Sequence, residues 1–206
     1  MGACQMIRAL TVRATSVVVV ANPHRPALVL DALDGLEHRV SCTPDYDLPA
    51  DFSTAISLAA SNQLGAYRCF RGHQDAIGLA SSRTVLVLED DAVPNTRDWL
   101  TILESAAAAL ADVDIISFHG RGFDPARFER RAVVAGRDVL VPRFWCGPVR
   151  VFGSLAYLIR GAAVPRFLAM RYDGVPVDLL LPNRFTFCLV HPSPFDHDRR
   201  YPSLVD

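Results

Sequence analysis

The chain has 206 residues and contains no lysine; all 21 of its basic residues are arginine. A lysine nucleophile, a Schiff-base amine and a P-loop lysine are therefore excluded. Uniform use of arginine is typical of a GC-rich coding sequence, so the number of arginines does not by itself indicate a phosphate-binding surface. The net charge of −1 also argues against a protein that binds nucleic acid through its overall charge.

Cysteine is sparse and irregularly spaced. The five cysteines are odd in number and include no CxxC pair; they are Cys4, Cys42, Cys69, Cys146 and Cys188. This spacing predicts neither a disulfide framework nor a zinc site, and it is typical of reduced thiols in a cytoplasmic protein. No apolar run in the sequence is long enough to span a membrane.

The remaining composition is that of a globular protein, with 50% hydrophobic and 21% charged residues. We expect one domain over residues 1–206, with residues 1–15 as a loosely attached leader. Residues 120–150 stand apart, because seven arginines against three acids give them a local charge of +4. Their glycines and prolines predict a long insertion containing a hairpin, which is either a functional segment or a solvated arginine-rich face.

The most informative stretch is a short apolar run that leads directly into three acids. Residues 85–88 are Val-Leu-Val-Leu, and Glu89, Asp90 and Asp91 follow them. An uninterrupted apolar run predicts a strand buried on both faces, as in a parallel sheet flanked by helices. Ligands bind at the carboxyl ends of such strands, and a divalent cation would offset the repulsion between the acids. The alternative is an acidic turn that caps the next helix.

Strand, helix and strand patterns alternate along the chain, which favours an α/β fold with a parallel sheet. Predicted strands cover residues 16–21, 38–42, 113–118 and 186–190, and predicted helices cover residues 27–36, 64–80 and 97–111, the last capped by Thr96. Residues 153–170 predict a strand, a turn and a helix, and the tail from Phe195 is expected to be irregular. Asp178 is a lone acid in an apolar stretch, so it is either a helix cap or a buried functional group.

Several blocks, taken in order, resemble glycosyltransferase family 25, the lipooligosaccharide and collagen-type galactosyltransferase group. Residues 65–73 are similar to that family's Gly-x-x-Gly-Cys-x-x-Ser-His block, and residues 85–94 to its Leu-Glu-Asp-Asp strand. Residues 153–168 are similar to its Gly-x-x-x-Tyr-x-Ile-x-x-x-Gly-Ala block. Residues 175–178 and 192–195 match the segments that follow, so the likeness covers roughly residues 16–195.

The resemblance implies a single GT-A domain, which is a Rossmann-like α/β fold with a mainly parallel central sheet flanked by helices. It implies a hexosyltransferase that uses a nucleotide-diphosphate sugar and Mn2+ or Mg2+. Asp91 would hold the metal, while Glu89 and Asp90 would contribute to donor binding. A hard cation on oxygen ligands would neutralise the charge that develops on the departing diphosphate.

The same resemblance extends to other residues of the chain. Asp178 is the candidate base of an inverting transfer, and His191 is a candidate further metal ligand. Arg25, Arg71 and His73 are assigned to donor binding, although a lone histidine in a helix is more often a packed or capping residue.

Three alternatives stay open at the level of sequence. The acceptor is a glycan, a protein side chain, or a hydroxylated base in DNA bound through the arginine-rich residues 121–150. A non-catalytic module that binds nucleotide-sugars would keep the same acids. A receiver-like phosphotransfer domain is disfavoured, because its strand-end acids work with a lysine and this chain has none.

Overall fold

The computed structural model describes residues 15–24, 26–50, 52, 60–143 and 147–198. Within these residues the chain forms ten strands and four α-helices. The strands are β1 (Thr15–Ala21), β2 (His38–Cys42), β3 (Thr84–Glu89), β4 (Ala92–Pro94), β5 (Ile115–Ser117), β6 (Phe128–Val134), β7 (Arg137–Pro142), β8 (Ala156–Arg160), β9 (Phe187–His191) and β10 (Phe195–His197). The α-helices are α1 (Ala60–Gly78), α2 (Trp99–Ala109), α3 (Ala163–Leu168) and α4 (Val177–Arg184), and 3₁₀ turns lie at Leu28–Leu33 and Pro125–Arg127. Of the predicted leader, only Thr15 falls within the described residues, as the first residue of β1.

Eight strands form one sheet in the order β2-β1-β3-β8-β5-β9-β7-β6. Six of them point the same way, and β8 and β7 run in the opposite direction. The predicted α/β class and the common direction of most strands are therefore confirmed. The sheet is mixed at two strands: β8 lies antiparallel between β3 and β5, and β7 lies antiparallel between β9 and β6.

The sheet is covered on both faces, which explains the unbroken apolar runs of β1 and β3. Side chains alternate along a strand, so Val19 and Leu88 pack towards α2 on one face. Val18 and Val87 pack on the other face, towards α1 and α3. The interior residues of both strands are buried, as their composition predicts. Because β1 and β8 flank β3, its three acids follow an interior strand of the sheet and not an edge strand.

The predicted helices are present with shifted ends. The second predicted helix is α1, which begins four residues earlier than expected. The third is α2, whose N-cap is Asp98 and not Thr96; the Thr96 hydroxyl accepts instead from the Asp98 amide, at 3.4 Å, in the turn before the helix. The first predicted helix is reduced to the 3₁₀ turn Leu28–Leu33. Among the described residues, no helix is both long enough and apolar enough to cross a membrane.

The expected hairpin in the arginine-rich segment is confirmed. Strands β6 and β7 pair in antiparallel fashion around a turn in which Ala135 and Gly136 both have positive φ, at 47° and 75°. Two such residues make a turn whose twist matches that of the flanking strands. Strand β7 then pairs with β9, so this hairpin extends the main sheet at its edge.

The tail beyond β9 is not irregular, which corrects the prediction. Strand β10 pairs in antiparallel fashion with β4, the short strand that follows the three acids, and His197 lies opposite Ala92. Phe195 is fully buried and its ring meets that of Trp99 edge to face at 5.4 Å. Burial of an aromatic ring supplies enough apolar area to fix a three-residue strand that would be unstable alone.

Substitution of Phe195 tests whether this ring anchors the tail. Phe195→Ala should lower the free energy of unfolding by about 3–5 kcal/mol, the usual cost of removing a buried aromatic ring. Val133→Ala is the matched control, since Val133 is 58% exposed and its loss should change stability by no more than about 0.5 kcal/mol. Urea denaturation of both variants measures these changes. A loss of less than about 1 kcal/mol in the free energy of unfolding for Phe195→Ala would mean that other contacts anchor the tail.

Candidate functional site

The three acids at the end of β3 occupy three different environments. Asp90 and Asp91 are each 1% exposed, whereas the side chain of Glu89 is 22% exposed. Backbone hydrogen bonds fix the segment, because the Glu89 amide donates to the Leu155 carbonyl at 2.8 Å and the Asp90 amide to the Val20 carbonyl at 3.0 Å. Glu89 ends β3, whereas Asp90 and Asp91 form the turn before β4, so the three carboxylates meet different neighbours.

Asp90 holds the loop that follows β1. Its carboxylate accepts from the Asn22 amide at 2.7 Å, and its carbonyl accepts from the Val29 amide at 3.1 Å. A buried carboxylate that accepts backbone amides is a strong connection between two segments. Asp90 is thus built into the scaffold around the site, and its predicted part in donor binding remains untested.

Asp91 meets a histidine from the far end of the chain. Its Oδ2 atom lies 3.0 Å from Nε2 of His197 in β10. The pairing of β4 with β10 creates this contact, and the Asp198 amide adds a hydrogen bond to the Asp91 carbonyl at 3.0 Å. A buried carboxylate and an imidazole at this spacing form either an ion pair or two neighbouring ligands of one cation.

Glu89 is held by side chains from α1 and from the segment before β8. Its Oε1 atom accepts from the Ser154 hydroxyl at 2.6 Å and lies 3.3 Å from Nε2 of His73. His73 is fully buried, and its Nδ1 lies 2.9 Å from the hydroxyl of Tyr157. Burial keeps the pKa of Tyr157 well above its usual value, so this group remains a phenol that can either donate or accept.

A cavity of about 570 Å³ opens beside Glu89 and His197. Its polar lining comes from several elements and comprises Glu89, His119, Arg121, Ser154, Asp178 and His197. The thiol of Cys69 also lines it, and burial, followed by the charges of Glu89 and Asp178, raises the pKa of this thiol well above its usual value. A concave site with few convergent polar groups is the usual form of a small-molecule site.

Asp178 lies in the first turn of α4 and faces this cavity. Burial raises the pKa of its carboxyl to about 6; a hydrogen bond from the Leu179 amide, at 2.9 Å, works in the opposite direction, and the charge of Glu89 adds to the rise. Sequence analysis left a cap and a buried functional group as alternatives. Asp178 is not the N-cap of α4, because Pro176 holds that position, and its functional role stays a prediction. A carboxylate of this kind is mostly ionised at neutral pH but is more basic than usual, which suits a general base.

His119 lies just beyond β5 and was missed by sequence analysis. It is buried, and its Nδ1 lies 2.9 Å from the Phe195 carbonyl, which makes Nδ1 the donor. Burial lowers the pKa of His119, so the ring is neutral at neutral pH. Gly153 packs against it with φ of +125°, and a Cβ there would lie 2.4 Å from Cδ2 of His119. Only glycine permits this packing.

Some predicted residues do not join this cluster. Arg25 lies outside the described residues. Arg71 is partly exposed on α1, donates to the Gln74 side chain at 3.0 Å and stacks over the Tyr46 ring. His191 is exposed at the end of β9 with its ring against Phe123. Because β8 and β5 separate β9 from β3, His191 lies roughly 14 Å from the acidic strand end, three strand spacings away.

A sequence signal existed for one of the missed residues. His119 follows an apolar strand, as the acids follow β3, and the end of a neighbouring strand is where a second site residue is expected. His197 gave a weaker signal, because a three-residue strand is too short for a periodic pattern.

No protein-family model matches the chain, and no curated protein matches its sequence. Several solved structures resemble it at 11% identity. A197 from STIV does so with a TM-score of 0.45, over 88% of this chain and 83% of A197. HddC from Yersinia pseudotuberculosis complexed with GMP-PN has a TM-score of 0.42, over 85% of this chain and 89% of HddC. A glycosyltransferase involved in the glycosylation of the major capsid of PBCV-1 has a TM-score of 0.36, over 75% of this chain and 63% of that protein.

The structural neighbours thus include a glycosyltransferase. At 11% identity and with TM-scores of 0.36 to 0.45, these likenesses show neither a family nor an activity for this chain. The resemblance to family 25 stays a prediction from the motifs.

The pKa of Asp178 leads to a prediction about stability. Between about pH 4 and pH 6 the folded protein keeps a proton on Asp178 that the unfolded chain has lost. The free energy of unfolding therefore falls as pH rises from about 4 through about 6. Asp178→Asn should remove this dependence, since Asn keeps the acceptor for the Leu179 amide but never ionises. At pH 7 the free energy of unfolding of the variant should exceed that of the parent by on the order of 2 kcal/mol.

Urea denaturation at pH 4 and at pH 7 measures the effect. Asp173→Asn is the matched control, because Asp173 is exposed and is paired with Arg184 at 3.0 Å. A difference between Asp178→Asn and the parent that does not change with pH would show that Asp178 titrates normally.

Proposed function

We propose that the protein is a metal-dependent glycosyltransferase that moves a sugar, most simply a hexose, from a nucleotide-diphosphate sugar to an acceptor hydroxyl with inversion. The observation that carries the proposal is the contact of Asp91 with His197 at the edge of a cavity that also contains Asp178. The contact supplies two ligands for a cation, and Asp178 supplies a base. The motif resemblance to family 25 points to the same chemistry.

The separation of the Asp91–His197 pair matches that of two ligands of one divalent metal. Two ligands about 2.1 Å from an octahedral cation and at right angles to each other are about 3.0 Å apart. The Asp91 Oδ2 and His197 Nε2 atoms have that separation. A mixed oxygen and nitrogen pair suits Mn2+ better than Ca2+, because imidazole binds transition metals preferentially. His197 therefore takes the place in the proposal that His191 held in the sequence-based prediction.

A metal bound there would act as a Lewis acid that neutralises the diphosphate leaving group. The protein's own residues would orient the donor around it. Glu89, held by Ser154 and His73, presents a carboxylate oxygen at the cavity, where it would accept a hydrogen bond from a ribose or sugar hydroxyl. This carboxylate is prepositioned, so little side-chain entropy would be lost on binding.

Asp178 would act on the acceptor. As the acceptor oxygen attacks the anomeric carbon, its proton passes to the Asp178 carboxylate. The bond between the anomeric carbon and the diphosphate oxygen breaks, and its electron pair leaves with the diphosphate. One direct displacement inverts the anomeric centre. A carboxyl pKa of about 6 gives Asp178 more proton affinity than a solvated aspartate without losing the ionised form at neutral pH.

Ion pairs in the arginine-rich hairpin weigh against DNA as the acceptor. The arginines of the hairpin are partly neutralised, because Arg131 pairs with Asp112 at 2.6 Å and Arg130 pairs with Asp138 at 3.6 Å. Phosphate contacts depend on positive charge that is available to replace counterions. We therefore propose a glycan acceptor.

The metal ligands can be tested through nucleotide binding. Calorimetry with a nucleotide-diphosphate sugar and Mn2+ should show affinity at least roughly 10- to 100-fold weaker in His197→Ala and in Asp91→Asn, in line with losses at metal sites. His191→Ala is the matched control and should bind like the parent. Equal losses in both histidine variants, or full Mn2+-dependent affinity in Asp91→Asn, would contradict the assignment.

The base can be tested separately from binding. Asp178→Asn should keep Mn2+-dependent donor affinity within about twofold while kcat falls by roughly 10²- to 10⁴-fold, the usual contribution of a general base. The assay is transfer from the donor that binds to hydroxylated acceptors. Transfer at the parental rate in Asp178→Asn would place the base elsewhere. Tight donor binding by the parent without transfer to any acceptor would favour the non-catalytic module.

A further inference from the structure

A second cluster of potential metal ligands lies beside the proposed Mn2+ centre. Cys69 and His73 are one helical turn apart on the same face of α1, and Glu89 reaches them from the end of β3. The thiol sulfur, an imidazole nitrogen and a carboxylate oxygen of these residues lie within 4.8 Å of one another. The nitrogen and oxygen of His73 and Glu89 are 3.3 Å apart.

Two hydroxyl groups hold the side chains of this cluster in place, as is common at metal sites. Nδ1 of His73 is engaged by the buried hydroxyl of Tyr157 at 2.9 Å, and the two rings are stacked with centroids 5.7 Å apart. This contact directs Nε2 of His73 towards Glu89. The Ser154 hydroxyl holds the Glu89 carboxylate at 2.6 Å. Metal-binding histidines and carboxylates commonly have such supporting hydrogen bonds, which fix ring orientation and tautomer.

We propose that Cys69, His73 and Glu89 form a second metal site, selective for a thiophilic divalent cation such as Zn2+, and that its occupation inhibits donor binding by withdrawing Glu89. The inhibitory part rests on the proposed function, whereas the site itself does not. The spacing of the cysteines along the sequence did not predict a zinc site, because the ligands come from a helix and a strand and include a single cysteine.

The geometry is close to what Zn2+ requires. Tetrahedral ligands at zinc–sulfur and zinc–nitrogen distances of about 2.3 and 2.0 Å are roughly 3.3–3.6 Å apart. The His73–Glu89 separation of 3.3 Å already meets this requirement, and the sulfur of Cys69, within 4.8 Å of both atoms, needs to approach by at most about 1.5 Å. Cys69 and Glu89 both line the cavity, so a water molecule can take the fourth position.

The two centres differ in the cations that they favour. The thiolate of Cys69 and the carboxylate of Glu89 carry two negative charges, matched to a dication, and the thiol proton is released to solvent on binding. Soft thiolate ligands favour zinc and cadmium, whereas the oxygen and nitrogen pair of Asp91 and His197 has no soft ligand. A cation held here would draw electron density from the Glu89 carboxylate and fix its orientation, so Glu89 would accept a hydrogen bond from a donor hydroxyl less well.

A titration of the whole protein with Cd2+ tests the site directly, because cadmium–thiolate bonds absorb in the ultraviolet. One equivalent of Cd2+ should produce this band in the parent, in Asp91→Asn and in Cys42→Ser, which removes an exposed thiol. Cys69→Ser should lose the band, and His73→Gln should bind Cd2+ at least roughly 10-fold more weakly. A band of full intensity in Cys69→Ser, or its loss in Cys42→Ser, would overturn the site; circular dichroism confirms that each variant is folded.

A second measurement tests the inhibition. With Mn2+ present, one equivalent of Zn2+ should weaken binding of the nucleotide-diphosphate sugar by at least roughly 10-fold in the parent, and the ratio of affinities with and without Zn2+ should stay near one in Cys69→Ser. The same ratio in both proteins would overturn the inhibitory role. If no nucleotide-sugar binds under any condition, the proposed function and the inhibition fail together, while the Cd2+ titration still decides whether the site exists.

Discussion

The pairing of β10 with β4 is the interaction on which the candidate site depends. It brings His197, near the end of the described chain, to within 3.0 Å of Asp91, the second residue after β3. The strand is only three residues long, so its backbone hydrogen bonds alone would not hold it. The buried ring of Phe195 supplies the missing stabilisation, and its carbonyl also accepts from His119. One short strand thus positions two of the histidines at the site.

The site gathers four carboxylates, and each has a separate means of limiting repulsion. Asp90 accepts a backbone amide from Asn22, and Glu89 accepts from Ser154. Asp91 faces His197. Asp178 has its pKa raised to about 6, so part of its charge is removed as pH falls towards that value. Carboxylates that differ in environment can take different roles, which the proposed site needs if it is to hold a metal, bind a donor and accept a proton.

Much of the architecture follows from local patterns in the sequence. The buried strands β1 and β3 were predictable because unbroken apolar runs mark strands covered on both faces. The edge strand β2 was predicted with its observed bounds. The position of β8 was not predictable, because no local pattern states whether a strand enters a sheet in parallel or antiparallel orientation. A short apolar run thus predicts that a segment is a strand, but it does not predict which strands lie beside it.

The acidic end of β3 and the exceptional character of Asp178 were likewise visible in the sequence. The partner of Asp91 was not, and the sequence-based prediction named His191, which ends the last strand that had a clear pattern. Two histidines six residues apart are separated in space by the turn between β9 and β10. Such long-range proximity depends on the packing of Phe195, which sequence periodicity does not encode.

The most direct test of the account is thermal unfolding of the unmodified protein with a panel of nucleotide-diphosphate sugars, with and without Mn2+. A ligand at 100 times its Kd stabilises the folded state by about 2.7 kcal/mol, which for a chain of this size raises Tm by roughly 5–10 °C. We predict such a rise with at least one donor when Mn2+ is present, and its loss when the metal is chelated. No rise with any donor, or an equal rise after chelation, would contradict a metal-dependent nucleotide-sugar site.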